Sequence, residues 1–284
     1  MVAIKKTVNK EKLLMACSVE LLCIGNELLI GKVLNSNAQW IGDRVTRLAG
    51  IVRRITAIGD DLEEISSAIK EALTRKPNFI ITTGGLGPTF DDKTLQGIAM
   101  AVNRPLKVND QALKMVEDKY RLAYESGRLR KVEITQYRLK MATLPDGAIP
   151  LNNPIGTAPG VLFQTGETAI ISLPGVPAEM KAIFEESVIP LIRKASGGLT
   201  FYEKSIIATR IIESDLAPII DEVMRNNSYV YIKSHPSGAE RTMLSTIELH
   251  VSTTAENINL AKERVEKAIN QLSTLISGQG GKIV

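Results

Sequence analysis

Residues 79–94 constrain this chain more than any other stretch. A short apolar run, Phe79-Ile80-Ile81, opens directly into Thr82-Thr83-Gly84-Gly85-Leu86-Gly87-Pro88-Thr89-Phe90-Asp91-Asp92-Lys93-Thr94, and a helical pattern follows. That order predicts a buried strand, a phosphate-sized loop and a helix start. Glycines at 84, 85 and 87 can take positive φ and let the backbone approach a ligand closely. Successive N–H groups can then converge on an anion, with the positive end of the next helix behind them. Asp91 and Asp92 stand where they could hold a divalent cation beside that anion, because hard cations favour carboxylate and phosphate oxygens. The chemistry implied is that of nucleotide phosphates.

The remainder of the chain alternates strand-like runs with helical periods, the pattern of a parallel sheet wrapped by helices. Strands are expected at 19–24, 51–58 and 79–82, and helices at 37–48, 62–73 and 95–102. Residues 109–141 read as a long charged helical excursion, with Leu113, Val116, Tyr120 and Leu122 as its apolar stripe. Two short strands, 161–164 and 168–172, follow as a hairpin through Thr165-Gly166-Glu167, and Pro177 suits a first helical position. The small-residue linker Ala195-Ser196-Gly197-Gly198 marks a domain boundary. Beyond it the order strand, helix, strand, strand, helix (202–208, 216–224, 229–233, 245–251, 257–275) predicts a small α+β domain. The expected organisation is a leader over 1–18, a binding domain over 19–196 and a second domain over 199–284. A chain of 284 residues is long enough for two cores.

Composition narrows the class. A net charge of +4, from 35 basic and 31 acidic residues, is too mild to argue for nucleic acid. The two cysteines, Cys17 and Cys23, make no disulfide framework, so a reduced cytoplasmic protein is expected. No run approaches the roughly 18 apolar residues of a spanning helix, so no membrane association is expected. Lys5, Lys6, Lys10 and Lys12 precede Leu13–Cys17, but that apolar piece is shorter than the roughly 7 residues of a signal core. A flexible leader, or a start at Met15, is the simpler reading.

Open α/β sheets bind ligands beyond the carboxyl ends of their strands, and four loops fall there. They are Gly25-Asn26-Glu27 with Asn35-Ser36-Asn37 behind it, Gly59-Asp60-Asp61, the glycine loop, and Leu173-Pro174-Gly175-Val176-Pro177. Each has a plainer reading. Asp60 with Glu63, or Asp61 with Glu64, makes a capping box for the helix at Leu62, the more so for Asp61. Thr89 or Asp91 would serve as N-caps, and Asn35 and Asn37 read as helix starters first. His235 is placed in a loop and His250 inside a strand; two distant histidines without a cysteine cluster argue against zinc. The basic run Arg128, Arg130, Lys131, Arg138 and Lys140 reads as a solvated face, with phosphate contact the lesser alternative.

The motifs GNELLIG (25–31), NSNA (35–38), GDD (59–61), TTGGLGPTFDD (82–92), NNPIGTAPG (152–160) and LPGVPAE (173–179) resemble, in that order, the N-terminal region of the competence/damage-inducible CinA family. That region shares its fold with the molybdopterin-binding proteins MoaB, MogA and MoeA. The resemblance implies a three-layer αβα domain with a mostly parallel sheet, followed by a small KH-like α+β domain, and a homodimer or other homo-oligomer. It implies a pyrophosphatase dependent on Mg, Mn or Co that splits ADP-ribose or a related nucleotide into AMP and a sugar phosphate. It assigns Asp60 and Asp92 as the catalytic pair, Asp91 and Asp92 to the metal, and Thr83, Gly84, Gly85, Gly87 and Thr89 to phosphate. Asn26, Glu27, Asn35, Asn37, Gly156, Thr157, Pro174 and Gly175 complete the expected nucleotide contacts. The nicotinamide-nucleotide deamidase domain that ends many CinA proteins has no counterpart before Val284, so deamidation is not expected. The second domain is read as lacking the GXXG loop that clamps RNA, which disfavours RNA binding. Two alternatives stand beside the pyrophosphatase: binding or adenylylation of molybdopterin in molybdenum cofactor biosynthesis, and a non-catalytic nucleotide or pterin sensor.

Overall fold

A computed structural model describes residues 17–237 and 246–284. The expected leader and start site, and Ser245 at the head of an expected strand, lie outside the described residues. The chain divides into two compact units, one running through Thr46 and from Gly50 to Ser196, the other comprising Gly197–Val284 with Arg47–Ala49.

The first unit is built on a six-stranded sheet in the order β2-β1-β3-β8-β7-β6. These are β1 (Ser18–Ile24), β2 (Ile51–Ile58), β3 (Phe79–Thr83), β6 (Ile149–Leu151), β7 (Gly160–Thr165) and β8 (Thr168–Leu173). Strands β1, β2, β3 and β8 run parallel; β7 pairs antiparallel with β8, and β6 antiparallel with β7, which restores the common direction. Because side chains alternate faces along a strand, Leu22, Ile80 and Ile170 enter one core while Leu21, Ile81 and Ile171 point the other way, and all six are buried. A sheet buried on both faces needs near-continuous apolar strands, which is why VELLCI, FIITT and TAIISL read as they do.

Helices α1 (Asn26–Leu29), α2 (Ser36–Arg47), α3 (Leu62–Thr74) and α4 (Thr94–Ala101) occupy the crossovers. Helices α7 (Pro177–Ile183) and α8 (Ile189–Ala195) are joined through a π-helical turn, Phe184–Val188. Asp61 is the N-cap of α3, its carboxylate accepting from the N–H groups of Glu63 and Glu64 at 3.0 Å each. The β7–β8 hairpin forms as expected, with Gly166 at φ 57° in its turn.

The excursion departs from the sequence expectation. It is two helices, α5 (Asp110–Glu125) and α6 (Gln136–Lys140), framed by a two-stranded ladder of β4 (Leu106–Val108) and β5 (Thr143–Pro145). The break follows from Gly127, whose φ of 72° ends α5 in a left-handed turn. Leu113, Val116 and Tyr120 pack on the core, but Leu122 is exposed; Ala112 takes the fully buried place.

The second unit is an antiparallel sheet in the order β10-β11-β9-β12, formed by β9 (Thr200–Thr209), β10 (Val230–Ser237), β11 (Thr246–Ala255) and β12 (Lys282–Ile283). Helices α9 (Glu213–Asn226) and α10 (Ile258–Gly278) share an apolar core with it. Strict alternation of half-exposed and buried residues along β11 leaves one face open. Two expectations change here. His235 lies in β10 rather than a loop, and its ring stands edge-on to that of His250 at 4.8 Å between centroids, so the histidines are neighbours. His250 is in a strand as expected, on the open face beside Glu203 and Glu248, so the pair is not distant. Gly278-Gln279-Gly280-Gly281 does have GXXG spacing. Its amides, however, close the end of α10: Gly280 donates to Ser277 O and Gly281 to Ile276 O, both at 3.0 Å. Those amides are committed to the helix end and are not free for a phosphate.

Candidate functional site

Three adjacent strands, β1, β3 and β8, release their chains at the same end of the sheet, and tight backbone contacts knit the three loops together. Gly84 N–H donates to Leu173 O at 3.0 Å. A Cβ on Gly84, where φ is 99°, would fall 2.1 Å from Ile24 O, and one on Gly175 would fall 3.4 Å from Gly84 Cα. Only glycine at position 84 allows β1 and β3 to end this close, whereas a Cβ on Gly175 would make ordinary contact. Gly85, at φ 67°, turns the chain back so that the first amide of α4, Thr94, donates to Gly85 O at 3.2 Å. The positive end of α4 is therefore partly engaged by the loop itself. The amides of Gly85, Leu86 and Gly87 meet no protein acceptor among the described residues, and these three residues line a cavity of about 490 Å³.

Around that cavity stand Glu27, Asp60, Thr89, Asp91, Asp92, Thr157, Pro174, Gly175 and Glu179, with Tyr120 and Met141 contributed by the excursion. Asp60 is held across two loops: its Oδ2 accepts from Asn26 N–H at 2.9 Å, and Asn26 Oδ1 faces Asp60 N–H at 3.4 Å. Neighbouring aspartates thus divide the work, Asp61 capping α3 and Asp60 facing the cavity. Asp91 and Asp92 are not caps of α4, whose N-cap position is Lys93 without a side-chain bond. They converge on Thr89 instead. Thr89 N–H donates to Asp92 Oδ2 at 2.8 Å, and the Thr89 hydroxyl lies within donating distance of both carboxylates. That hydroxyl, followed by the Asp91 backbone amide, holds the Asp91 carboxyl below its usual range. A Cβ on Gly87 would fall 2.6 Å from Asp92 Oδ2.

Not every expected residue reaches the cavity. Thr83 is buried in β3, Asn26 orients Asp60, and Gly156 lies beneath Glu179. Asn35 caps α2 through Ala38 N–H at 3.2 Å. Asn37 donates to Gly175 O at 2.8 Å, fixing the β8 loop, while its own Oδ1 is buried without a partner.

Two residues were missed as site residues. Lys140, at the end of the basic run, donates to Thr89 O and faces a second cavity of about 40 Å³ behind the loop, lined also by Gly85, Gly87 and Asp92. Burial lowers its pKa, against the opposing pull of Asp92 and Asp91. Glu179 is the last residue of the LPGVPAE motif, and its carboxylate is held by Asn153 Nδ2 at 2.7 Å. The other members of the basic run behave as a solvated face: Lys131 pairs with Glu133, and Arg128 bonds Ser126. Arg138 stacks on Tyr120, 3.7 Å above the ring.

Among the described residues five carboxylates (Glu27, Asp60, Asp91, Asp92, Glu179) line the larger cavity, and no lysine or arginine is on its wall. Among the described residues no three His, Cys, Asp or Glu side chains form a metal cage. Two carboxylates converging on one hydroxyl do fit an ion that completes its shell with ligand phosphates and water, the manner in which magnesium is usually held.

A profile described as a probable molybdopterin binding domain matches residues 20–194, and the chain belongs to that family. The chain is 38% identical to the protein CinA, of unknown function, from Thermoplasma acidophilum, whose crystal structure it covers over 99% of that chain and 62% of its own, with a TM-score of 0.56. The CinA likeness read from the six motifs is thereby shown. The match also supports the mostly parallel α/β architecture. Similarity to archaeal proteins runs through the second unit as well. A Pyrobaculum calidifontis protein is 42% identical over 91% of this chain and 95% of its own length. One from Metallosphaera sedula is 40% identical over 95% and 98%. Among the described residues no helix is long and apolar enough to cross a membrane.

Proposed function

We propose that the first unit is a divalent-metal-dependent hydrolase of a nucleotide diphosphate bond, acting on ADP-ribose or a close relative to give AMP and a sugar phosphate. One observation carries the reading: the unpaired amides of Gly85–Gly87 and the Asp91/Asp92 pair share a cavity whose wall bears carboxylates and no basic side chain. Backbone amides left without a protein acceptor beside a cavity can take an anion. An anion set among carboxylates needs a cation with it, since like charges about 4 Å apart near a protein surface repel by roughly 4 kcal/mol. Asp92 and Asp91 would hold that cation, which when bound would neutralise charge on the phosphoryl oxygens.

The protein's own groups supply the rest. The amides of Gly85–Gly87 bind non-bridging phosphate oxygens and strengthen as charge develops there. Asp60, fixed by Asn26, orients a water and accepts its proton as the water oxygen attacks phosphorus. The bridging P–O bond breaks, and its electron pair leaves with the departing phosphate. Incubating the purified protein with ADP-ribose and Mg²⁺, Mn²⁺ or Co²⁺ should release AMP and ribose 5-phosphate. Absent or metal-independent hydrolysis would sink the proposal.

The family description favours a second reading: binding or adenylylation of molybdopterin in molybdenum cofactor biosynthesis. ATP-dependent turnover of the pterin, with ADP-ribose left intact, would establish it instead. A sensor would differ from both, binding nucleotide and gaining thermal stability by mass action while leaving the ligand unchanged.

A further inference from the structure

We propose that Glu179 contacts the ligand directly, accepting hydrogen bonds from ribose hydroxyls, and that the flank between Asn153–Ala158 and α7 is a sugar subsite. The inference rests on the diphosphate reading above and names which part of that ligand this side of the cavity takes.

The position of the carboxylate is imposed from three sides. It is carried by the first turn of α7, which Pro177 starts. It accepts from Asn153 Nδ2 at 2.7 Å, and that amide is 3% exposed with its hydrogen-bonding groups committed. Asn153 Nδ2 also donates to Ala158 O at 2.8 Å, while its Oδ1 accepts from Ile155 and Gly156 N–H at 3.1 and 2.8 Å. Third, the carboxylate lies against Gly156, where a Cβ would fall 1.9 Å from Glu179 Oε2, so the carboxylate end would have to swing aside to admit a side chain there. The sequence thus holds one acidic side chain at the cavity wall in a fixed orientation.

A carboxylate offers acceptors only. On this flank it opposes a phosphate and suits a ligand group that donates. The cavity wall provides no basic side chain to neutralise it, and among the described residues it joins no metal cage. ADP-ribose seated on Gly85–Gly87 would carry a ribose on either side of its two phosphates, and vicinal ribose hydroxyls are donors of the required kind. Asn153 occupies part of Glu179 Oε2, which leaves the remaining acceptor positions for such hydroxyls.

Steady-state kinetics of the full chain with ADP-ribose, and with its two forms lacking the 2′-hydroxyl of one or the other ribose, test this against a merely structural role. Glu179→Ala should lower kcat/KM for ADP-ribose about tenfold or more, chiefly through KM, as loss of a charged hydrogen bond does. On one deoxy substrate the same change should cost almost nothing further, because side chain and hydroxyl form one interaction and their effects do not multiply. Glu179→Gln, which keeps an acceptor for Asn153, should retain part of the activity. Equal loss on all three substrates, or no loss, would overturn the proposal while leaving the diphosphate reading in place. If the unaltered protein neither binds nor cleaves ADP-ribose, the parent reading falls and takes this one with it.

Discussion

The two ends of the parallel sheet are built on opposite principles. At the amino ends polar groups are paired. Glu20, 4% exposed on β1, receives Arg75 Nε and Nη2 at 2.7 Å each. Asn78 Oδ1 accepts from Ser18 N–H and its hydroxyl at 2.8 and 3.1 Å, and the Thr168 hydroxyl donates to Pro77 O at 2.6 Å. At the carboxyl ends the amides of Gly85–Gly87 lack acceptors among the described residues, five carboxylates gather on a cavity wall that bears no described lysine or arginine, and Gly84 lets the ends of β1 and β3 come into contact. The same strands are therefore fastened at one end and left chemically incomplete at the other. Incompleteness of that kind is what a ligand can satisfy.

Substitutions at the two ends should separate stability from activity. The largest effect is expected from Arg75→Ala, which leaves Glu20 buried and unpaired; loss of about 3 kcal/mol in denaturant unfolding is expected, with kcat unchanged below the melting range. Equal losses of activity and stability would erase the contrast between the ends. At the other end Asp92→Ala should lower hydrolysis by about 100-fold or more, with a melting temperature close to that of the unaltered protein. The adjacent pair Asp60 and Asp61 sharpens the comparison within one loop. Asp61→Ala should cost about 1 kcal/mol of stability as a lost cap and little activity. Asp60→Asn should do the reverse.

Much of this contrast was legible in the sequence. Apolar strands feeding glycine loops placed β1 and β3 within a residue of their ends, because continuous burial and punctuation by glycine are local signals; β2, an edge strand with no fully buried residue, is bounded by Gly59. The carboxyl-end loops could be grouped for the same reason. The sequence left the cap ambiguous between Asp60 and Asp61, since either spacing suits α3, and only the bond from Asn26, far away in sequence, separates them. The helical character of the excursion is legible in its charged periodicity, but the division into two helices is not, because that periodicity continues past Gly127, where the backbone turns left-handed. Lys140 and Glu179 went unassigned because each reaches the site through a distant partner, Thr89 and Asn153 respectively. The pairing of the two histidines depended on strand register, which neither residue's neighbours announce.

The smallest predicted effect probes how the incomplete end keeps its charge. Thr89 gives its hydroxyl to the Asp91/Asp92 pair, and this bond is the leading cause of the depressed Asp91 pKa. A carboxyl whose folded pKa is lowered remains ionised above its ordinary value and loses that charge only as pH falls through the lowered one. If the ionised form holds the cation, hydrolysis should persist to a pH below the ordinary carboxylate range before its acidic limb sets in. Thr89→Val removes the donor, so the Asp91 pKa should return upward and the acidic limb should move to higher pH. Activity near neutrality, where the carboxylate is ionised in both proteins, should change less than activity at the acid end. A pH profile of kcat/KM at saturating metal checks this. An unshifted acidic limb would mean that the Asp91 charge is not used by the reaction, and that Thr89 serves only to shape the loop.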